Sequence, residues 1–146
     1  MTAPDSGDRG SATVEFALFS LLLMVPLVYV LLTVFQIQRA AYGTAQAARE
    51  AARAFVTCTS GGQAHGRVQA AVALALGDQG LAARTARVVI VCSADPCLSP
   101  GATVTVSVVD EVPLPWVPTL LGRAAASIEV RATHRQTVDL YRPQRP

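Results

Sequence analysis

The feature that most constrains this chain is an apolar run without any charged residue, from Phe16 to Gln38. Most of its 23 residues are Leu, Val, Phe, Ala or Ile. As an α-helix the run would be about 34 Å long, and the hydrocarbon core of a bilayer is about 30 Å thick. It therefore predicts one transmembrane helix over about residues 16–38.

The apolar run is preceded directly by two small residues, Gly10 and Ser11, and by the carboxylate of Glu15. They lie in the sequence Arg-Gly-Ser-Ala-Thr-Val-Glu-Phe of residues 9–16, and we call Gly10 and Ser11 the small-residue junction. Cleavage between Gly10 and Ser11 would free an amino group four residues before Glu15, on the same helix face. This arrangement is typical of type IV prepilins. It predicts a leader, residues 1–10, that a prepilin peptidase removes. Glu15 is then the assembly carboxylate that neutralises the N-terminus of a neighbouring subunit.

Glu15 also has a plainer interpretation, as the last polar residue before a membrane helix, lying among lipid headgroups at little cost. Two observations favour the functional interpretation. The pair Gly10 and Glu15 directly adjoins the apolar run. Ionisable residues at membrane depth are also functional candidates by default. A cleaved secretory signal ending at residues 45–47 is disfavoured, because the apolar run is longer than a signal core and Arg39 follows it.

The orientation in the membrane depends on which signal is followed. Arg9 precedes the run, whereas Arg39, Arg49 and Arg53 follow it. The positive-inside rule alone would place the C-terminal part in the cytoplasm. A prepilin peptidase requires a cytoplasmic leader instead. We follow the motif and expect a single-pass protein of the cell membrane with an extracellular C-terminal domain, pilus-associated after processing.

The remaining sequence predicts a small α+β domain, residues 58–146. An Ala-rich stretch continues the first helix, giving one N-terminal helix over 11–57. The residues Thr-Ser-Gly-Gly at 59–62 predict a break, and helical spacing of apolar residues predicts a second helix over 64–77. Alternating β-branched residues predict a three-stranded antiparallel sheet, and the proline-rich stretch 112–118 predicts a connecting loop rather than part of a central strand. The strands are expected at 87–92, 103–109 and 127–133.

The junction motif, the single apolar span, the Ala-rich continuation and the short β-rich C-terminal part resemble the TadE-like pilus assembly proteins. These are pseudopilins of tight-adherence (Flp-type) pilus systems. The resemblance is specific over about residues 9–55 and architectural beyond them. It implies that Gly10 and Ser11 form the processing site and Glu15 the assembly carboxylate. It also implies partners: a prepilin peptidase, other pilin and pseudopilin subunits, inner-membrane platform proteins and membrane lipid.

Three cysteines, Cys58, Cys92 and Cys97, lie in the expected exported domain, where disulfides are permitted. We favour a Cys92–Cys97 disulfide, because an Asp-Pro turn separates the two residues at the end of a strand. A Cys58–Cys92 link would close a longer loop and stabilise the domain more. A zinc site that adds His65 or His134 fits no standard ligand spacing.

Several classes of function find no support in the sequence. The twelve basic residues are all arginines spread singly along the chain, which is not a nucleic-acid-binding patch. Neither a nucleophile elbow nor a phosphate-binding loop occurs. We expect His134 to end a strand and the acids Asp110, Glu111 and Asp139 to be solvated. The chain is therefore expected to be neither an enzyme nor a cofactor carrier, and an unprocessed, membrane-anchored binding domain is the alternative to a pseudopilin.

Overall fold

The computed structural model describes residues 9–113 and 127–141 as an α+β arrangement. The elements are helix α1 (Arg9–Val56), helix α2 (Gly61–Asp78), a 3₁₀ turn (Ala83–Thr85), and strands β1 (Arg87–Cys92), β2 (Thr103–Pro113) and β3 (Ser127–Thr137). The strands form one antiparallel sheet in the order β1-β2-β3. The predicted fold class, with its long apolar N-terminal helix, second helix and three-stranded sheet, is confirmed.

The chain divides into two compact units, Met1–Phe35 and Gln36–Pro146. In the first unit the described residues all belong to α1. The second unit contains the rest of α1, which continues into a domain built from α2 and the sheet. The predicted boundary of the leader, between residues 10 and 11, stays a prediction.

Alternation along β2 separates a buried face of the sheet from a more exposed one. Val104, Val106 and Val108 are fully buried, whereas the threonines and the serine between them are half-buried. Burying a valine side chain contributes about 1.5–3 kcal/mol. Placing three on one face fixes the register, because a slip by one residue would expose all of them.

Helices α1 and α2 bury small and medium-sized side chains in the core of this domain. The alanines of α1 allow close approach of neighbouring elements, and Phe55 fills the remaining volume near its C-terminal end. The core residues of the two helices are Ala47, Ala48, Ala51, Ala52, Phe55, Ala64, Val68, Val72, Ala75 and Leu76. Truncating the larger of these side chains would leave cavities in the core of the second unit.

Strand β2 is longer than the sequence predicts, and the predicted loop is wrong for Val112 and Pro113. These two residues pair with Ile128 and Ser127 of β3. Pairing with β1 ends at Val109, so among the described residues the last part of β2 has a neighbour strand on one side only. Proline is tolerated at such an edge because one side of the backbone needs no ladder hydrogen bond. Residues 114–118 of the predicted loop lie outside the described residues.

The ends of α2 also differ from the prediction. Gly61 and Gly62 form its first turn instead of a break, since the first backbone N–H groups of a helix need no partner within the helix. At the other end Gly80 has φ +66°, and Gly80 and Leu81 donate backbone hydrogen bonds to the carbonyls of Gly77 and Leu76. This is a Schellman motif, which requires the left-handed conformation that glycine adopts readily.

Candidate processing and assembly site

Helix α1 begins at Arg9, so Gly10 and Ser11 belong to its first turn. Glu15 lies one turn further along, and its side chain is exposed. Residues four apart in an α-helix are separated by about 6 Å along the axis and share a face. The backbone therefore places the amino group that cleavage would create and the carboxylate on one side of the helix.

The described side chains from residue 12 to residue 35 leave their apolar surface open. Phe16 is 74% exposed and Leu23 is 67% exposed, in contrast to the fully buried valines of the sheet. One helix at the N-terminal end is long and apolar enough to span a membrane, and none of its most apolar stretch is buried. Such a surface is costly in water and suits a lipid environment.

Glu15 is the one charged residue between Ala12 and Gln38. The hydroxyl of Thr33, a polar group further along the run, donates to the carbonyl of Tyr29 at 2.9 Å. Such a bond within the helix satisfies a hydroxyl group at membrane depth. The carboxylate of Glu15 is thus the one charge that directly adjoins the N-terminal end of the apolar run, which explains why sequence reasoning singles it out.

The structure joins Cys92 and Cys97 in a disulfide, with a Cα–Cα distance of 5.2 Å. Cys58 is 1% exposed, and its Sγ donates to the carbonyl of Ala54 at 3.1 Å. A link from Cys58 to another chain would require this side chain to leave the core. The disulfide belongs to the second compact unit, whereas Gly10, Ser11 and Glu15 belong to the first.

The two histidines occupy ordinary structural positions. His65 lies in α2 with its ring edge-on to Phe55, at 6.3 Å between ring centroids. His134 lies within β3 opposite Val106 rather than at the end of a strand, so the prediction of its place was wrong. Among residues 9–113 and 127–141, no group of three or more His, Cys, Asp or Glu residues is placed to hold a metal ion.

Asp110 is 2% exposed, so the prediction that it is solvated was wrong. It follows the inward alternation of β2, and its Oδ1 accepts hydrogen bonds from the Thr85 hydroxyl at 2.7 Å and from the backbone N–H of Glu111 at 3.0 Å. Glu111 and Asp139 are exposed, as predicted. The hydroxyl that binds Asp110 comes from Thr85, which is distant in sequence, so the local sequence pattern does not reveal that this acid is buried.

An ion-paired cluster on the open face of the sheet is also missed by sequence reasoning. Arg87 lies 3.4 Å from Glu111 and 3.3 Å from Glu129, and Arg131 lies 3.2 Å from Glu129. The strand register places Arg87 and Arg131 on either side of Val109, which is only 6% exposed although it faces outward. The partners are distant in sequence, so only the strand register reveals the cluster.

Comparison with known proteins adds no relative: no protein-family model, curated protein or solved structure matches the chain. The case for function therefore rests on the junction motif, the exposed apolar helix and the domain that follows it.

Proposed function

We propose that this protein is a minor pseudopilin of the TadE-like kind, which a prepilin peptidase processes between Gly10 and Ser11. It then joins a tight-adherence pilus machine through its N-terminal helix. Its partners are other pilin and pseudopilin subunits, inner-membrane platform proteins and lipid. Its role is structural rather than enzymatic, with the leader in the cytoplasm and the domain outside.

One observation carries the proposal. A small-residue junction lies in the first turn of a continuous 48-residue helix, and a single carboxylate follows it at the start of an exposed apolar surface. A plain membrane anchor needs the apolar surface but has no use for this junction or for a carboxylate four residues beyond it. A prepilin requires all three features at this spacing.

Processing is tested by the intact mass of the protein extracted from membranes of cells that contain a prepilin peptidase. We expect a mature chain that starts at Ser11. We expect the Gly10→Glu variant to keep its leader, because the peptidase must accept the residue before the cleaved bond and glycine allows the closest approach of its backbone. A wild-type protein that keeps its leader would instead favour an unprocessed, anchored binding domain.

Assembly is tested by the Glu15→Gln variant, which keeps the shape of the side chain and removes its charge. The attraction between two unit charges 4 Å apart is about 1 kcal/mol in water and about 4 kcal/mol at an effective dielectric constant of 20. The pair therefore matters where water is excluded. We expect the variant to be processed normally but to be recovered poorly with the other pilin subunits.

A matched control for this experiment is Glu50→Gln, which removes the charge of an exposed acid in the second compact unit. It should co-purify with the pilin subunits as the wild type does. Equal recovery of the Glu15→Gln variant and the wild type would contradict the assembly role of Glu15.

A further inference from the structure

Strand β1 forms one edge of the sheet, and hydrogen bonds at the end of the sheet show which of its backbone groups are directed outward. Ser93, one residue beyond β1, donates its backbone N–H to the carbonyl of the opposite residue Thr103 at 3.0 Å. On the other side of β2, Val138 donates to the carbonyl of Ala102 at 2.8 Å. Because the backbone groups of successive residues in a strand point alternately to its two sides, odd-numbered residues of β2 bond to β1 and even-numbered ones to β3.

The N–H and C=O groups of Val88, Ile90 and Cys92 therefore point away from β2, along the outer edge of β1. No other strand pairs with this edge in the part of the chain that the structure describes. Two side chains beside it are also uncovered, since Val89 is 53% exposed and Val91 is 59% exposed on the open face of the sheet. The edge thus combines backbone groups that have no partner strand with exposed apolar side chains.

The two edges of the sheet differ in how they are protected against pairing. The outward backbone groups of β3 belong to its odd-numbered residues, which include the exposed charged residues Glu129, Arg131 and Arg135. Charged side chains on an edge strand hinder the addition of another strand. β1 has no charged residue between Val88 and Cys92, contains no proline, and pairs with β2 without a bulge. Its β-branched composition favours a strand with neighbours on both sides.

A second copy of β1 is a partner that matches this edge by symmetry. In an antiparallel pair about a two-fold axis, residues 88, 90 and 92 of both copies must form the hydrogen-bonded positions, because only their groups point outward. When the two Ile90 residues lie opposite each other, Val88 of each copy lies opposite Cys92 of the other. All three edge residues of each copy then have partners. Val89 of each copy lies opposite Val91 of the other.

Side-chain chemistry favours this register over its neighbours. It joins the exposed valines in pairs that exchange no hydrogen bonds, where side chains approach each other most closely. A shift of two residues would place Arg87 opposite Val91 in one direction and Val89 opposite Ser93 in the other. A shift of one residue would set edge groups against groups that already bond to β2. In the favoured register the two Arg87 side chains lie at opposite ends of the pair and do not repel each other.

We propose that two copies of this protein pair through β1, antiparallel and with Ile90 at the two-fold axis, so that their sheets become one continuous sheet. The pairing gives partners to the outward backbone groups of β1 and covers the exposed valines with one another. It goes beyond the proposed assembly through the N-terminal helix, because it assigns a contact to the folded domain. It depends neither on cleavage after Gly10 nor on membrane anchoring.

Position-specific cross-linking of the full-length chain in detergent tests the register. One preparation carries Val89→Cys, and a second, distinguished by a tag, carries Val91→Cys. Directly opposite residues of this kind have Cα atoms about 4.5 Å apart, within the range of a disulfide. Identical positions of the two copies are diagonal neighbours about 8 Å apart, outside that range. We expect mild oxidation to cross-link the mixture at least about fivefold more than either preparation alone.

The native cysteines do not compete for this cross-link. Cys92 and Cys97 are joined to each other, and Cys58 is buried. Peptide mapping without reductant should identify the link between residues 89 and 91 and a closed Cys92–Cys97 disulfide in the same sample.

A second test abolishes the pairing with charge. The double variant Val89→Lys, Val91→Lys sets lysines directly opposite each other in the two copies and should weaken dimerisation by at least about tenfold. The matched control Thr133→Lys, Thr137→Lys places the same charges at exposed positions of β3 and should dimerise as the wild type does. Analytical ultracentrifugation in detergent measures both, and circular dichroism checks that both are folded. If the β1 variant does not fold, the cysteine mixture still decides the proposal.

A wild-type chain that is monomeric in detergent would overturn the pairing, and so would a cysteine mixture that cross-links no more than its separate components. A dimer that the β1 lysines leave intact would place the contact elsewhere, for example on the exposed apolar part of α1, and would overturn it as well. None of these outcomes affects the proposed function, which intact mass and co-purification with pilin subunits test separately.

Discussion

The two ends of α1 show how one helix can meet two different environments. From Phe16 to Phe35 its large apolar side chains are exposed, whereas Ala47, Ala48 and Ala51 are almost completely buried within the domain. The exposed part has the greater apolar surface but no cover from the described residues of the chain. The buried part has little surface of its own and is covered on its inner side by α2 and the sheet.

This difference agrees with the proposed environments of the two parts. Where the chain covers its own helix, most of the buried side chains are alanines, because close packing leaves little space between the elements, and Phe55 is the large exception. Where the cover is lipid or another subunit, large side chains are favourable because each buries more apolar surface on association. Along α1, the part covered by the same chain is thus lined mostly by alanines, and the exposed part by large apolar side chains.

The sharpest way to break the comparison is to make one substitution in both parts of α1. Phe55→Ala removes a side chain that is 3% exposed and should lower the free energy of unfolding of the domain by about 3–5 kcal/mol. Phe19→Ala removes one that is 57% exposed and should change it by less than about 0.5 kcal/mol. Denaturant unfolding in detergent, followed by circular dichroism, measures both.

A loss of similar size in the two variants would show that the part around Phe19 unfolds together with the domain. That outcome would remove the distinction between the exposed part of α1 and the part that is buried within the domain.

The disulfide gives the next largest effect and belongs to the domain alone. Reducing the Cys92–Cys97 bond should lower the stability of the domain by about 2 kcal/mol, the chain-entropy value for so short a loop. Unfolding with and without reductant measures the change. Peptide mapping without reductant should identify a Cys92–Cys97 peptide, and a dominant Cys58 cross-link would contradict the assignment.

The smallest expected effect concerns the ion pairs on the open face of the sheet. Glu129→Gln removes the partner of both Arg87 and Arg131, which are mostly exposed to solvent. We expect a loss of about 0.2–1 kcal/mol that shrinks as salt is added. Unfolding at low and high ionic strength tests this, with Asp139→Asn as a control acid outside the cluster. A loss that does not depend on salt would argue against an ionic origin.

Local patterns in the sequence predict the elements of the fold, but the elements' ends depend on pairing. The extra residues of β2, from Asp110 to Pro113, pair with the predicted start of β3 at residues 127–130. The extra residues of β3, from His134 to Thr137, pair with the predicted start of β2. Each extension is thus held by a neighbour strand. Polar or proline residues extend a strand when their partner is in place, and the local pattern does not contain that information.

The functional residues also divide into those that a local pattern predicts and those that depend on contacts between distant parts of the sequence. Gly10, Ser11 and Glu15 follow from the spacing within one helix, which the sequence contains in full. The buried acid Asp110 depends on a contact with Thr85, 25 residues away in sequence. Sequence reasoning therefore finds a site on one helix but misses one that three-dimensional packing creates.

The continuity of α1 from Phe35 into Gln36 has a mechanical consequence. Pro26 has no backbone N–H and removes one hydrogen bond of the helix, but the rest of α1 carries a pull on the N-terminal segment into the core of the domain without an intervening loop. A force along the axis of α1 acts as shear on the contacts that the alanines of α1 make in the domain and on the Gln36–Pro113 hydrogen bond. The domain must therefore bear traction through its packed interior, and the strength of that interior limits the tension the protein withstands.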